Sequence, residues 1–152
     1  MHYKHILVAV DGSEPSIASL QHAIQLAQDL KSKLSIIGVL ELDPIIAESY
    51  VKTGESNEMI ERARRYILDH LEKIRAEYLS EDLDVSVQLL EGFSIASVIT
   101  QAAESLNVDL IMMGSHGRTG NTKLVLGSVT QKVLNESLKP VLIVKAQSPD
   151  KQ

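Results

Sequence analysis

Gly114, Ser115, His116 and Gly117, followed nine residues later by Gly127 and Ser128, are the residues whose types and spacing could do chemistry. They come directly after the apolar run Val108-Asp109-Leu110-Ile111-Met112-Met113. A glycine-rich turn leaving a buried strand offers backbone N–H groups to an anion. Between Asp109 and Glu136 the chain carries no acidic residue, while Arg118, Lys123 and Lys132 fall in that interval. In a protein of formal net charge -5, that distribution keeps negative charge out of one long segment. The chemistry it suits is the binding of nucleotide phosphates.

A second turn, Asp11-Gly12-Ser13, ends the first apolar run of the chain. It reads either as a plain turn and helix cap or as a second ligand-binding tip. Open α/β sheets bind ligands beyond the carboxyl ends of their strands, where the strand order reverses. If the two turns leave neighbouring strands, one could hold base and ribose while the other wraps phosphates. The stretch between Gly117 and Gly127 would then supply Arg118, Thr119, Asn121 and Thr122. Ser128 and the N–H groups of Val129 and Thr130 would meet phosphate at a helix N-terminus. Two common fingerprints are absent. No Gly-x-Gly-x-x-Gly follows the first strand, and Gly120-Asn121-Thr122-Lys123 stands where a Walker A loop needs Gly-Lys-Ser/Thr.

The elements that must position these turns are read from periodicity. His5 to Val10 is continuously apolar, as expected of a parallel strand covered on both faces. Ser13 caps the following helix, Pro15 fits its first turn, and Ile17, Leu20, Ile24, Ala27 and Leu30 form its apolar stripe. Leu34 to Leu40 is a second strand, and Glu41 to Gly54, with Pro44, a long irregular loop. A helix from about Glu55 to Leu79 buries Ile60, Ala63, Ile67, Leu71 and Ile74. Its pairs Glu58/Arg62, Glu61/Arg65 and Asp69/Lys73 read as a solvated charged face. Val85, Val87 and Leu89 alternate with polar residues, marking the third strand as a sheet edge. Phe93 to Leu106 is a helix and Val108 to Met113 the fourth strand. Val129, Val133 and Leu134 mark a last helix, opened by a Ser128/Gln131 capping box, and Pro140 to Val144 is the fifth strand.

This alternation predicts an α/β fold, a single doubly wound, five-stranded parallel sheet with helices on both faces. Order 3-2-1-4-5 would place strands one and four side by side, as the two-turn site requires. One domain over residues 1–146 and a tail over 147–152 account for the 152 residues.

Composition narrows the function. The acidic balance argues against broad nucleic-acid contact, and the absence of cysteine excludes disulfides, thiolate metal sites and a thiol nucleophile. No apolar run approaches the roughly 18 residues of a membrane span. The N-terminus enters a strand at once without a signal peptide's apolar segment, so a cytoplasmic location is expected. His116 lacks a nearby carboxylate or conspicuous nucleophile and reads as a loop contact. His2, His5, His22 and His70 show no metal-ligand spacing, and Tyr3, Tyr50, Tyr66 and Tyr78 no basic-aromatic interleaving.

The pattern Gly-x-x-Gly, nine residues, Gly-Ser, standing here as Gly114-Ser-His-Gly117 and Gly127-Ser128, resembles the universal stress protein family in its ATP-binding branch. The opening Ile6-Leu7-Val8-Ala9-Val10-Asp11-Gly12-Ser13 and the Gly114 to Arg118 stretch are also similar to family usage, and the likeness runs from Lys4 to Val144. The resemblance implies a Rossmann-like nucleotide-binding module of the stress response. Asp11 would contact adenosine and Val39 adenine, Met113 and Gly114 would line the nucleoside pocket, and Gly117, Gly127, Ser128 and Val129 would contact ribose or phosphates. It implies ATP as ligand, with Mg or Mn as a bridging ion for which Asp11 is the one obvious carboxylate. It further implies a homodimer pairing Val141 to Val144 antiparallel with its copy; an apolar terminal strand is a risky free edge. The expected role is regulatory, acting through the dimer or partners. A slow ATPase or autophosphorylating enzyme, or a dimeric scaffold with an empty site, are the alternatives, and no catalytic residue is named.

Overall fold

The computed structural model describes residues 2–45, 58–115 and 126–145. In chain order these form β1 (His5–Val10), α1 (Glu14–Leu30), β2 (Lys33–Glu41), α2 (Glu58–Tyr78), β3 (Val85–Gly92), α3 (Ile95–Ser105), β4 (Leu110–Gly114), α4 (Ser128–Glu136) and β5 (Val141–Val144). All pairings are parallel and the order is β3-β2-β1-β4-β5, with β1 between β2 and β4. The expected α/β sheet and its strand order are observed. Strand order reverses at β1/β4, the place where this class of fold opens a crevice.

Alternation along β1 divides the core. Ile6, Val8 and Val10 pack on one face with Leu20 and Ile24 of α1 and Leu71 and Ile74 of α2. Leu7 faces the other way, with Ile37, Ile99 of α3 and Val133 of α4. β1 and β4 are therefore apolar at consecutive positions because both of their faces are covered. At the opposite end of the sheet, the Asp109 carboxylate accepts from the backbone N–H groups of Lys4 and His5 at 2.8 and 2.9 Å. That contact fixes where β1 and β4 begin relative to one another.

Three local expectations need correcting. Leu30 is 46% exposed, because α1 ends there and Lys31 turns out of the helix in the left-handed region at φ 56°. α3 starts at Ile95 rather than Phe93: Ser94 is its N-cap, accepting from the Ser97 N–H, and Phe93 is left exposed. α4 does not open with a Ser128/Gln131 capping box. Gly127 is the N-cap with no side-chain cap bond, Ser128 is the first helical residue, and the Gln131 amide donates to the Leu126 carbonyl. The remaining boundaries differ by one or two residues. The expected irregular loop from Glu41 is not irregular throughout, since Glu41 ends β2 and Pro44 and Ile45 are helical; the rest of it, and the first turn expected before Glu58, lie outside the described residues.

Candidate functional site

The site begins with the two strand tips. At the end of β1, Gly12 adopts φ 89°, a left-handed conformation that favours glycine. The Asp11 carboxylate accepts from the Ser13 N–H at 2.9 Å and from the Ser13 hydroxyl at 2.6 Å, while Asp11 N–H donates to Ser16 Oγ at 2.9 Å. Ser13 in turn caps α1 through the Ser16 N–H. The turn is thus both a helix cap and the fixed mount of Asp11.

At the end of β4, Gly114 and Ser115 are tied on two sides. Ser115 N–H donates to the Val144 carbonyl at 3.1 Å and Gly127 N–H to the Ser115 carbonyl at 2.8 Å. Thr130, buried in the first turn of α4, donates its hydroxyl to the Gly114 carbonyl at 3.0 Å. The two ends of the glycine pattern, 114–115 and 127, are therefore in hydrogen-bond contact. They hold the N-terminus of α4 against the tip of β4. Because Gly127 contributes no side-chain cap, the first-turn N–H groups of α4 form an end with partial positive charge.

Between these tips lies a cavity of about 910 Å³, within the range of small-molecule sites. Eight of the expected contact residues line it: Asp11, Val39, Met113, Gly114, Gly127, Ser128, Val129 and Thr130. Gly117 and Arg118, with His116, Thr119, Asn121, Thr122 and Lys123, lie outside the described residues. Thr130 has its hydroxyl committed to Gly114, so its contribution to an anion would come from the backbone.

A whole wall of this cavity is absent from the sequence-based set. Met59, Arg62, Ala63, Tyr66, Ile67 and His70 of α2 line it, and Ile95 and Ile99 of α3 close it elsewhere. Arg62 is exposed, as expected, and also borders the cavity, while the partly buried Ala63 and Ile67 line it too, Ile67 still packing against the core. The usable signal was the series Arg62, Tyr66, His70, four residues apart, flanking the apolar stripe.

α2 is brought close by Gly38, in the middle of β2, where a Cβ would stand 2.8 Å from Ile67 Cγ2. Arg64 anchors the same helix to the sheet edge. Its guanidinium donates to Glu61 at 2.5 Å and to Glu91 of β3 at 2.6 Å, and these two hydrogen bonds raise its pKa further.

The donor set fits a nucleotide: apolar walls, a helix N-terminus and a carboxylate at the adjoining strand tip. Its described residues do not fit a metal held by the protein alone. Among the described residues no three His, Cys, Asp or Glu side chains are grouped to hold an ion, and the Asp11 carboxylate is engaged with Ser13. Among the described residues, too, no helix is long and apolar enough to cross a membrane.

Comparison with known proteins agrees with this architecture. Universal stress protein MJ0531 of Methanocaldococcus jannaschii is 31% identical over 144 residues, covering 94% of this chain and 82% of the relative. Universal stress protein YxiE of Bacillus subtilis is 29% identical over 148 residues, covering 94% and 99%. The solved structure of MJ0577, also from Methanocaldococcus jannaschii, superposes with a TM-score of 0.79 at 32% identity, covering 97% of this chain and 99% of that one. Residues 2–145 match the Universal stress protein family, and the chain belongs to that family.

Proposed function

We propose that this protein is an ATP-binding regulatory module of the stress response, working in the cytoplasm as a homodimer. The observation that carries the reading is the joining of Gly114-Ser115 to Gly127 and Thr130 at the mouth of a cavity that also holds Asp11 and Val39. Phosphates would sit at the N-terminus of α4, on the N–H groups of Ser128, Val129 and Thr130 and the Ser128 hydroxyl. Gly117 and Arg118 would complete that cradle. Val39 and Met113 would pack on the nucleoside, with Asp11 beside it. A divalent ion, Mg or Mn, would be held chiefly by the phosphates it bridges.

What the chain's own residues do in this scheme is bind and orient. The helix end balances phosphate charge without a large positive patch, which suits an acidic protein. Apolar lining from Ile95, Ile99 and Val39 excludes water from the base. No residue is assigned to turnover. Nucleotide occupancy would be read out through the dimer, formed by antiparallel pairing of β5, Val141–Val144, with its copy. β5 is an edge of the sheet, and Leu134 and Leu138 are exposed in the segment just before it.

The test is chemical. Protein purified natively is denatured, and the released small molecules are separated by chromatography and measured by absorbance; stripped protein is titrated with ATP. A stoichiometric adenine nucleotide, or saturable ATP binding, is expected. Neither being found, with the protein folded, overturns the reading.

A further inference from the structure

The chain has no cysteine, so its four methionines hold all of its sulfur. Met1 lies outside the described residues, and Met112 and Met113, on β4, are 0% and 6% exposed. Met59, in the first turn of α2, is 68% exposed and also lines the cavity. It stands four residues before Ala63 and eight before Ile67, so the three follow one another along the helix face that walls the cavity. Burial deepens along the series, through the partly buried Ala63 and Ile67 to Leu71 at 4% exposure. Met59 is its outermost member.

A thioether is a soft, apolar group that packs against carbon and aromatic surfaces. Peroxide converts it to a sulfoxide. The sulfur lone pair attacks one peroxide oxygen, and the S–O bond forms as the O–O bond breaks. The proton on the transferred oxygen passes to the departing hydroxide, which leaves as water. Sulfur is oxidised by two electrons and the peroxide is reduced by two. The product carries a polar S=O group in place of an apolar sulfur, and methionine sulfoxide reductases reverse the change. The oxidant must reach the sulfur, and among the described methionines Met59 alone is open to it. We infer that Met59 is a reversible peroxide-oxidation site on the cavity wall, whose conversion to the sulfoxide weakens nucleotide binding. The sulfoxide keeps its dipole in water and withdraws from the apolar wall on which the ligand packs. The effect on binding rests on the nucleotide reading above, whereas the selectivity of the oxidation rests on exposure.

The full chain and Met59→Leu are treated with hydrogen peroxide, mapped by peptide mass spectrometry, and titrated with ATP before and after treatment. Met59 should gain one oxygen well before Met112 and Met113. Treatment should lower the ATP affinity of the native protein by about three- to tenfold, and the two methionine sulfoxide reductases should restore it. Met59→Leu, compared only with itself, should show no such loss, which removes any contribution from Met1. Met59→Gln, polar without oxidant, should bind ATP more weakly than Met59→Leu. Oxidation of Met112 or Met113 as early as Met59, or an ATP affinity unchanged once Met59 is oxidised, overturns the inference and leaves the nucleotide reading standing. A loss that the reductases do not repair, or that Met59→Leu shares, does the same. Untreated, folded protein that binds no nucleotide overturns both.

Discussion

The Thr130 hydroxyl donates to the Gly114 carbonyl at 3.0 Å, and this one bond fastens the first turn of α4 to the tip of β4. Both partners belong to the cavity lining, so the bond sets where the helix N-terminus points. Thr130 is buried, and the acceptor is a backbone carbonyl at the end of a buried strand.

Thr130→Val keeps the shape and removes the donor. It should cost about 1–2 kcal/mol of stability, because the Gly114 carbonyl loses its partner in a buried place. ATP affinity should fall as well, since the helix end is less well held. Urea denaturation and titration on the same variant check both effects.

Gly127 has φ -63° and ψ 160°, backbone angles open to any L-residue. Gly127→Val should therefore fold, while its side chain would occupy the mouth of the proposed phosphate cradle. A loss of ATP affinity of about tenfold or more is expected, with a small fall in melting temperature because Val is a poorer N-cap than Gly. Unaltered affinity would place the phosphates elsewhere.

Gly38→Ala forces a methyl group to within 2.8 Å of Ile67 Cγ2 unless α2 moves outward. The expected cost is about 1–3 kcal/mol, as for other overpacked interiors. Because α2 also walls the cavity, ligand binding should weaken in parallel. Ile67→Ala in the same background should recover part of both, which a double-mutant cycle measures.

His5 makes stability pH-dependent. Its ring nitrogen bonds Ser35 Oγ at 2.7 Å, and its pKa is lowered, first by burial and then by the Lys33 charge, with Asp109 opposing. The unfolded chain therefore binds the proton more readily than the folded one near and below pH 6.5. The stability is present above that value and is lost as pH falls through the lowered folded pKa. The loss should stay below about 1 kcal/mol, since the ring is only partly buried. Urea midpoints should drop between pH 7.5 and 5.5 by less in His5→Gln than in the native protein.

The sheet was legible because its signals were redundant. Continuous apolar runs at His5–Val10 and Leu110–Gly114 demand cover on two faces, and the alternation at Val85–Leu89 marks an edge. The α4 end of the cavity was legible for a similar reason: Gly114, Gly127 and Ser128, which line it, stand in a short stretch. The α2 wall was not. Arg62, Tyr66 and His70 look like ordinary exposed helix residues until Gly38 draws the helix onto β2 and the Gly12 turn arrives beside them. The start of α4 was misjudged because Ser128-x-x-Gln131 satisfies a capping pattern one residue late. Gly127, already extended, takes the cap position, and Gln131 turns back to Leu126.

A crystal structure of the protein grown with ATP and Mg would test the central claim most directly. The account predicts phosphate oxygens within hydrogen-bond reach of the Ser128 and Val129 N–H groups, with the nucleoside lying against Val39 and Asp11. ATP bound away from the start of α4, or the cavity between β1 and β4 filled by the protein's own side chains at saturating nucleotide, would contradict it.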